Sequence, residues 1–204
     1  MIRLYRFRFS TNLERVTLAL AYKGLDVESV WVDPDDRSPV EQVSGQPLVP
    51  VIADEERVVF DSTAILSYLE QHYPEPPLYP REEAQRAAMD VYVDWFNRVC
   101  KRPANEIETE LLADKRDQQR IEELAAWMVR NLDLHEGLLA GRDYLFGGSF
   151  SAADCAAFPF LKYALARKPE DGELFHRILD DHQSVAGRPR LEAWIRRIDE
   201  RARL

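Results

Sequence analysis

The chain has 204 residues, enough for one large domain or two small ones with a real core. Hydrophobic residues at 46% and charged residues at 31% exclude a disordered chain. A formal charge of −9 argues against nucleic acid as the main partner, because gripping phosphates takes an excess of Lys and Arg.

In chain order, Ile2 to Phe9 reads as a strand and Arg15 to Lys23 as an amphipathic helix, closed by Gly24 in the usual glycine position past a helix end. Val27 to Val32 is a second strand, followed by a looser, helical or irregular segment. Leu48 to Ala53 and Arg57 to Phe60 are two further strands around the turn Asp54-Glu55-Glu56. Ser62 to Tyr73 then forms a helix with Ile65, Leu66 and Leu69 on one face. The order is β-α-β followed by β-β-α. Pro74, Pro76, Pro77 and Pro80 break any regular element and mark a linker. Beyond it the pattern is helical throughout. Ala84, Ala87, Ala88, Val91, Tyr92, Trp95 and Val99 share one helical face; Ile121, Leu124, Ala125, Met128 and Leu132 share another, and Leu191, Trp194, Ile195 and Ile198 a third. The fold class is therefore α/β plus all-α, with a first domain over residues 1–77 and an all-helical domain over 82–204.

Three strand-to-helix or loop-to-strand corners stand out. At Ser10-Thr11-Asn12, the spacing Thr11-x-x-Glu14 predicts a capping box, which accounts for Thr11 and Glu14 and leaves Ser10 over. At Val49-Pro50, a proline begins what looks like an interior strand, and a cis bond is one relief for its missing N–H. At Asp61-Ser62, a strand meets a helix N-terminus, which either caps itself or offers free N–H groups to a carboxylate or phosphate. Arg3, Arg6, Arg8 and Arg15 make a local basic exception to the acidic whole.

With these residues the chain resembles the cytosolic glutathione transferase superfamily over nearly its whole length. In that family the first strand-helix corner carries the catalytic residue, a Val-Pro bond before the third strand is cis, and an acidic residue with Ser opens the third helix. The matching residues are Ser10, Val49-Pro50 and Asp61-Ser62. The helical part contains the stretch Phe150 to Leu161, where Ser151-x-x-Asp154 predicts a capping box and Phe150 a staple onto Cys155. Ser10, five residues before Arg15-Val16, is where serine-type members carry their residue. The resemblance implies a thioredoxin-like first domain and a helical second one. It implies glutathione as co-substrate, a small hydrophobic electrophile as acceptor, and a cytoplasmic homodimer. An isomerase or dehalogenase that recycles glutathione, and a non-catalytic binding protein on the same scaffold, are the alternatives.

The chemistry implied is activation of a thiol. A thiol of pKa about 8.5 is mostly protonated at neutral pH, and only the thiolate attacks. A Ser10 hydroxyl donating to sulfur supplies part of the stabilisation, and Arg8 or Arg15 can add positive potential. In this scheme Asp61 receives the α-ammonium of glutathione, Ser62 with its helix N-terminus takes the γ-glutamyl carboxylate, and the Val49 backbone pairs with the cysteinyl part. One position departs from the family. Leu48 stands two residues before the proline, where many members have Gln or Lys for the glycyl carboxylate, leaving Gln46 or Arg37 as substitutes.

Other patterns carry less. Asp33 to Asp36 begins like a calcium loop, but Arg37 and Ser38 occupy positions that need an acceptor and a glycine. His72, His135, His176 and His182 show no metal-ligand spacing and are expected at the surface or partly buried. No metal is expected. Tyr92, Trp95, Phe96 and Tyr163 either line an apolar pocket or pack a core. Cys100 and Cys155 lie outside any C-x-x-C and fit a reducing, cytoplasmic setting. No apolar run approaches a membrane span, and arginines interrupt Met1 to Phe9 where a signal peptide would be apolar.

Overall fold

The computed structural model describes residues 1–204. The chain divides into two compact units, Met1–Glu83 together with Arg201–Leu204, and Ala84–Glu200. The last four residues thus belong with the first unit.

In the first unit, β1 (Ile2–Arg6), α1 (Thr11–Tyr22), β2 (Val27–Trp31), α2 (Ser38–Ser44), β3 (Val51–Asp54), β4 (Arg57–Phe60) and α3 (Ser62–His72) follow in order. The sheet order is β2-β1-β3-β4, with β2 parallel to β1 and the other pairs antiparallel. Alternation along the strands divides the core in two. Tyr5, Val51 and Ala53 face Val32, Val40 and Val49. Leu4 and Ile52 take the other face, where α3 packs on β3 and α1 on α3. On that face Asp54 Oδ2 accepts hydrogen bonds from the Tyr68 and Tyr73 hydroxyls at 2.9 and 2.6 Å. The bond to Asp54 pushes the Tyr73 phenol up to about 12.

The first strand is shorter than its sequence suggests. It ends at Arg6, and Phe9 adopts a positive φ of 55° to turn the chain into α1. Gly24 takes φ 64°, which closes α1 without a Cβ clash. The irregular segment after β2 contains α2, entered through a turn in which Asp33 Oδ1 accepts from the Asp35 N–H and Asp36 Oδ1 from the Ser38 N–H.

The second unit holds α4 (Glu83–Trp95), a π-helical turn (Phe96–Cys100), α5 (Arg102–Leu112), α6 (Gln118–Leu138), α7 (Ala152–Leu161), a 3-10 turn (Lys162–Ala164), α8 (Leu174–His182) and α9 (Pro189–Asp199). Glu83, the first residue of α4, is the last of the preceding unit. Every residue of α7 is buried, and α9 packs against it, with the Trp194 ring meeting Phe158; Leu191, Trp194, Ile195 and Ile198 are the buried residues of α9. The Ser151–Asp154 capping box is present.

Two expectations fail here. The inward face of α4 is Met89, Tyr92 and Val93, continued by Phe96, whereas Ala84, Ala87, Ala88 and Val91 are exposed, Val91 by 69%. Two apolar stripes compete on this helix, and the one with larger side chains buries more area and wins. The histidines also differ, since His135 and His176 are fully internal. His176 Nδ1 meets Asp171 Oδ2 at 2.8 Å and its ring stacks on Tyr163. His135 sits among Tyr92, Trp95 and Phe96. Three of the four aromatics weighed for a pocket (Tyr92, Phe96 and Tyr163) are therefore core residues, and Trp95 is half-buried.

The bonding of His135 fixes its protonation. Nδ1 donates to the Asn131 carbonyl at 2.7 Å and Nε2 accepts from the Tyr92 hydroxyl at 2.9 Å, a neutral imidazole with both nitrogens used. Burial drives its pKa down to about 4. The unfolded chain takes up that proton near pH 6.5 and the folded chain only near 4. Stability is therefore whole above pH 6.5 and falls as the pH drops towards 4, by about 3 kcal/mol in total. Urea midpoints at pH 7 and pH 4.5 are expected to differ less in His135→Gln than in the parent. Equal differences would show that His135 does not carry the acid sensitivity.

Candidate functional site

Strand register gathers the three corners. Tyr5 pairs with Val51, and Val51 with Phe60, so one row of the sheet joins the end of β1, the start of β3 and the end of β4. Just beyond that row lie the Phe7–Ser10 turn, Val49-Pro50 and Asp61-Ser62. Val30 of β2 pairs with Tyr5, so the chain leaving β2 towards Arg37 emerges at the same end. Parallel β1 and β2 with antiparallel β3 and β4 make this the end where loops meet helix N-termini.

Ser10 is the N-cap of α1. Its backbone is extended (φ −107°, ψ 116°) and its Oγ accepts from the Leu13 N–H at 3.2 Å. The capping box expected at Thr11 and Glu14 is absent, because the helix begins one residue earlier in its capping pattern than the spacing implied. Thr11 is buried as the first helical residue, and Glu14 forms an ion pair with Arg203 at 3.1 Å. The bond to Leu13 uses one lone pair of the Ser10 hydroxyl, whose hydrogen stays free to donate to another group. Capping and donation to a sulfur are thus compatible at one oxygen.

Val49-Pro50 is cis, and both residues are buried, with Val49 in the core cluster beside Tyr5. Asp61 is exposed, with φ 68° and ψ 124°, a conformation that residues other than glycine seldom adopt. Its Oδ1 caps α3 by accepting from the N–H groups of Thr63 and Ala64 at 2.9 and 3.1 Å. Both capping contacts fall on Oδ1, so the second oxygen gives the carboxylate a further acceptor. Ser62 is buried, and its Oγ accepts a long hydrogen bond from Arg15 Nη1 at 3.5 Å.

The four N-terminal arginines disperse. Arg3 and Arg8 are exposed, and Arg6 lies over the Trp31 ring at 4.6 Å while donating to the Leu204 carbonyl. Arg15 alone turns inward, 1% exposed. Its alternation with Leu13 and Val16 on α1 hides this in the sequence, where an arginine on an amphipathic helix reads as surface.

Leu48 is 63% exposed and offers no charge. Of its two substitutes, Gln46 is committed locally. Its Oε1 accepts from the Leu48 N–H at 2.7 Å, and its Nε2 donates to the Leu48 carbonyl and Ser44 Oγ, both at 2.9 Å. Arg37 holds its guanidinium over the Phe7 ring at 5.4 Å, so its charge stays on the turn that leads to Ser10.

Comparison with known proteins adds an independent line. The family description "Glutathione S-transferase, N-terminal domain" matches residues 4–77, and "Glutathione S-transferase, C-terminal domain" matches residues 117–197. The chain belongs to the glutathione S-transferase family. Glutathione S-transferase 3 of Zea mays is 30% identical over 212 residues, covering 95% of this chain and 86% of that protein. Glutathione S-transferase Z1 of Arabidopsis thaliana is 41% identical over 91 residues, 42% of this chain and 41% of that protein. With it and its Z2 counterpart, the chain shares only about two fifths of the relative's length. A glutathione S-transferase structure from Rhodospirillum rubrum F11 superposes with a TM-score of 0.78 at 26% identity, over 98% of this chain and 89% of that one. The thioredoxin-like first unit and helical second unit are the architecture of this family. No helix is long and apolar enough to cross a membrane.

Proposed function

We propose that the chain is a serine-type glutathione S-transferase that moves the thiolate of glutathione onto a small hydrophobic electrophile. The observation that carries this reading is the Ser10 hydroxyl, fixed by its bond to Leu13 at the sheet end where Val49-Pro50 and Asp61-Ser62 also lie. In this reading Ser10 donates its hydrogen to the sulfur and stabilises the thiolate. The Val49 backbone pairs with the cysteinyl part, with Pro50 setting its direction. Asp61 receives the α-ammonium, and Ser62 with the α3 N-terminus receives the γ-glutamyl carboxylate. Arg37 takes the glycyl carboxylate in place of the side chain missing at Leu48. The functional division is a glutathione-binding domain over 1–77 and a helical domain over 82–204. A cytoplasmic homodimer completes the proposal, and light scattering at micromolar concentration tests the dimer.

Ser10→Gly is the sharpest test. Glycine replaces serine as an N-cap at a cost of a few tenths of a kcal/mol, so the helix persists while the hydroxyl is lost. Turnover of a model aryl halide is expected to fall at least about tenfold, equivalent to roughly 1.4 kcal/mol of barrier. Unchanged turnover would remove Ser10 from the mechanism. Calorimetric titration with reduced glutathione in two buffers of different ionisation enthalpy tests the co-substrate. Binding tighter than about 1 mM, with proton release, is expected.

A second reading, a thiol-binding scaffold without transferase chemistry, is favoured by the exposed Leu48 and the locally committed Gln46. Glutathione binding without turnover of any electrophile would select it.

A further inference from the structure

The residues that follow α9 pack with the other end of the chain. Arg201–Leu204 belongs to the first unit, with Arg201 and Arg203 half-buried and Ala202 and Leu204 exposed. Such alternation marks an extended segment laid along a surface. The Arg201 guanidinium lies 5.6 Å from the ring of Tyr22, the last residue of α1. Arg203 Nε meets Glu14 Oε1, in the first turn of α1, at 3.1 Å. The Leu204 carbonyl accepts from Nη2 of Arg6, the last residue of β1, at 3.0 Å. The segment therefore runs along α1 against its direction and reaches the Phe7–Ser10 turn. Arg203 and Leu204 hold the two flanks of that turn, Glu14 after it and Arg6 before it. Glu14 is in turn joined to Ser10, its N–H donating to the Ser10 carbonyl at 3.0 Å beside the bond from Leu13 to Ser10 Oγ. The Arg203 and Glu14 side chains are only 27% and 15% exposed, so water and salt screen this pair less than a surface one.

We propose that Arg201–Leu204 is a strap that fixes the turn carrying Ser10, with Arg203 as its positioning residue. The functional part rests on the reading that Ser10 activates a thiol, and it deepens that reading by naming what keeps the hydroxyl in place. The turn needs such a hold. It contains Phe9 at a φ of 55°, a conformation that residues other than glycine seldom adopt. Arg203 touches neither Ser10 nor any group assigned to glutathione, so it acts only through Glu14 and the start of α1. Loosening the strap thus weakens what the Ser10 hydroxyl does and leaves the contacts at Val49, Asp61 and Ser62 as they are.

Amide hydrogen exchange of the full chain, without any ligand, tests the strap itself. In Arg203→Gln, the Leu13 and Glu14 amides are expected to exchange about tenfold faster, while those of β3 and β4 keep the parent's rates. Arg203→Lys, which keeps the charge, is expected to restore slow exchange. Glu14→Gln breaks the pair from the other side and is expected to match Arg203→Gln, so either variant decides if the other fails to fold. Unchanged exchange at Leu13 and Glu14, or acceleration spread evenly over the first unit, would overturn the proposal. Turnover of a model aryl halide tests the link to Ser10. Arg203→Gln is expected to lower kcat about fivefold with KM for glutathione within about twofold of the parent's. Added to Ser10→Gly, the same substitution is expected to cost nothing more, because the group it positions is already gone. A further fivefold loss there would show general damage and refute the positioning role. Failure of the parent chain to bind glutathione would sink the transferase reading, whereas the exchange rates would still decide whether the strap holds the turn.

Discussion

Asp154→Ala is expected to destabilise the helical unit by about 4 kcal/mol or more, because it strips the acceptor from four buried donors at once. Asp154 Oδ2 accepts from the Ser151 N–H and hydroxyl at 2.9 and 2.7 Å, and Oδ1 from the Leu145 N–H and Trp194 Nε1 at 3.0 and 2.8 Å. One side chain thus caps α7, ties down the loop before it and anchors α9. Burial pushes its carboxyl up from the ordinary range, and the four donors oppose that push. Asp154→Asn separates charge from shape. It keeps one acceptor oxygen for Leu145 and Trp194 but turns an NH2 group towards the Ser151 donors, so about half the loss is expected. Urea unfolding followed by tryptophan fluorescence measures both, since Trp194 is in the network. Equal, small losses would show that the network is a consequence of packing rather than a cause of it.

The elements were legible because their signals are redundant. Ile65, Leu66 and Leu69, or Leu191, Trp194, Ile195 and Ile198, repeat the helical period with large side chains, and all are buried. The two prolines that matter most, Pro50 and Pro74, break patterns rather than make them, and the chain changes character at both. Position within a corner was harder. Ser10, Thr11 and Asn12 are all acceptable caps, and only the observed backbone selects Ser10. On α4 two stripes have the same period, and periodicity carries no information about which meets a neighbour.

The site was readable as a set of corners but not as a set of contacts. Nothing in the spacing of Gln46 and Leu48 says that a side-chain amide will pair with both polar groups of a backbone two residues away, as it does here. Nor does the pattern of α1 say that Arg15 points inward, because an arginine one turn into an amphipathic helix is ordinarily solvated. Contacts of this kind join residues far apart in the chain, such as Arg15 and Ser62, and depend on how α1 and α3 pack.

Lys23→Met is expected to cost the first unit about 3–5 kcal/mol, the usual consequence of breaking a buried ion pair from one side. The Lys23 side chain is 0% exposed, and its three ammonium donors meet three acceptors: Glu70 Oε2 at 3.0 Å, the Tyr73 carbonyl at 2.6 Å and the Pro76 carbonyl at 2.9 Å. Glu70 Oε2 also accepts from the Leu78 N–H at 2.9 Å. The pair therefore staples the proline-rich segment after α3 onto the end of α1. Methionine has similar length but leaves a carboxylate and two carbonyls without their cation. Adding Glu70→Gln removes the uncompensated charge while keeping an acceptor for Leu78, so the double variant is expected to be more stable than Lys23→Met alone. Chemical denaturation gives the coupling energy. Limited proteolysis gives the location, with new cleavage between Tyr73 and Arg81 expected in the single variant. A double variant no more stable than the single one would show that the lost carbonyl contacts, not the stranded carboxylate, dominate. In that case the lysine acts as a clamp on backbone, and the ion pair serves mainly to neutralise it.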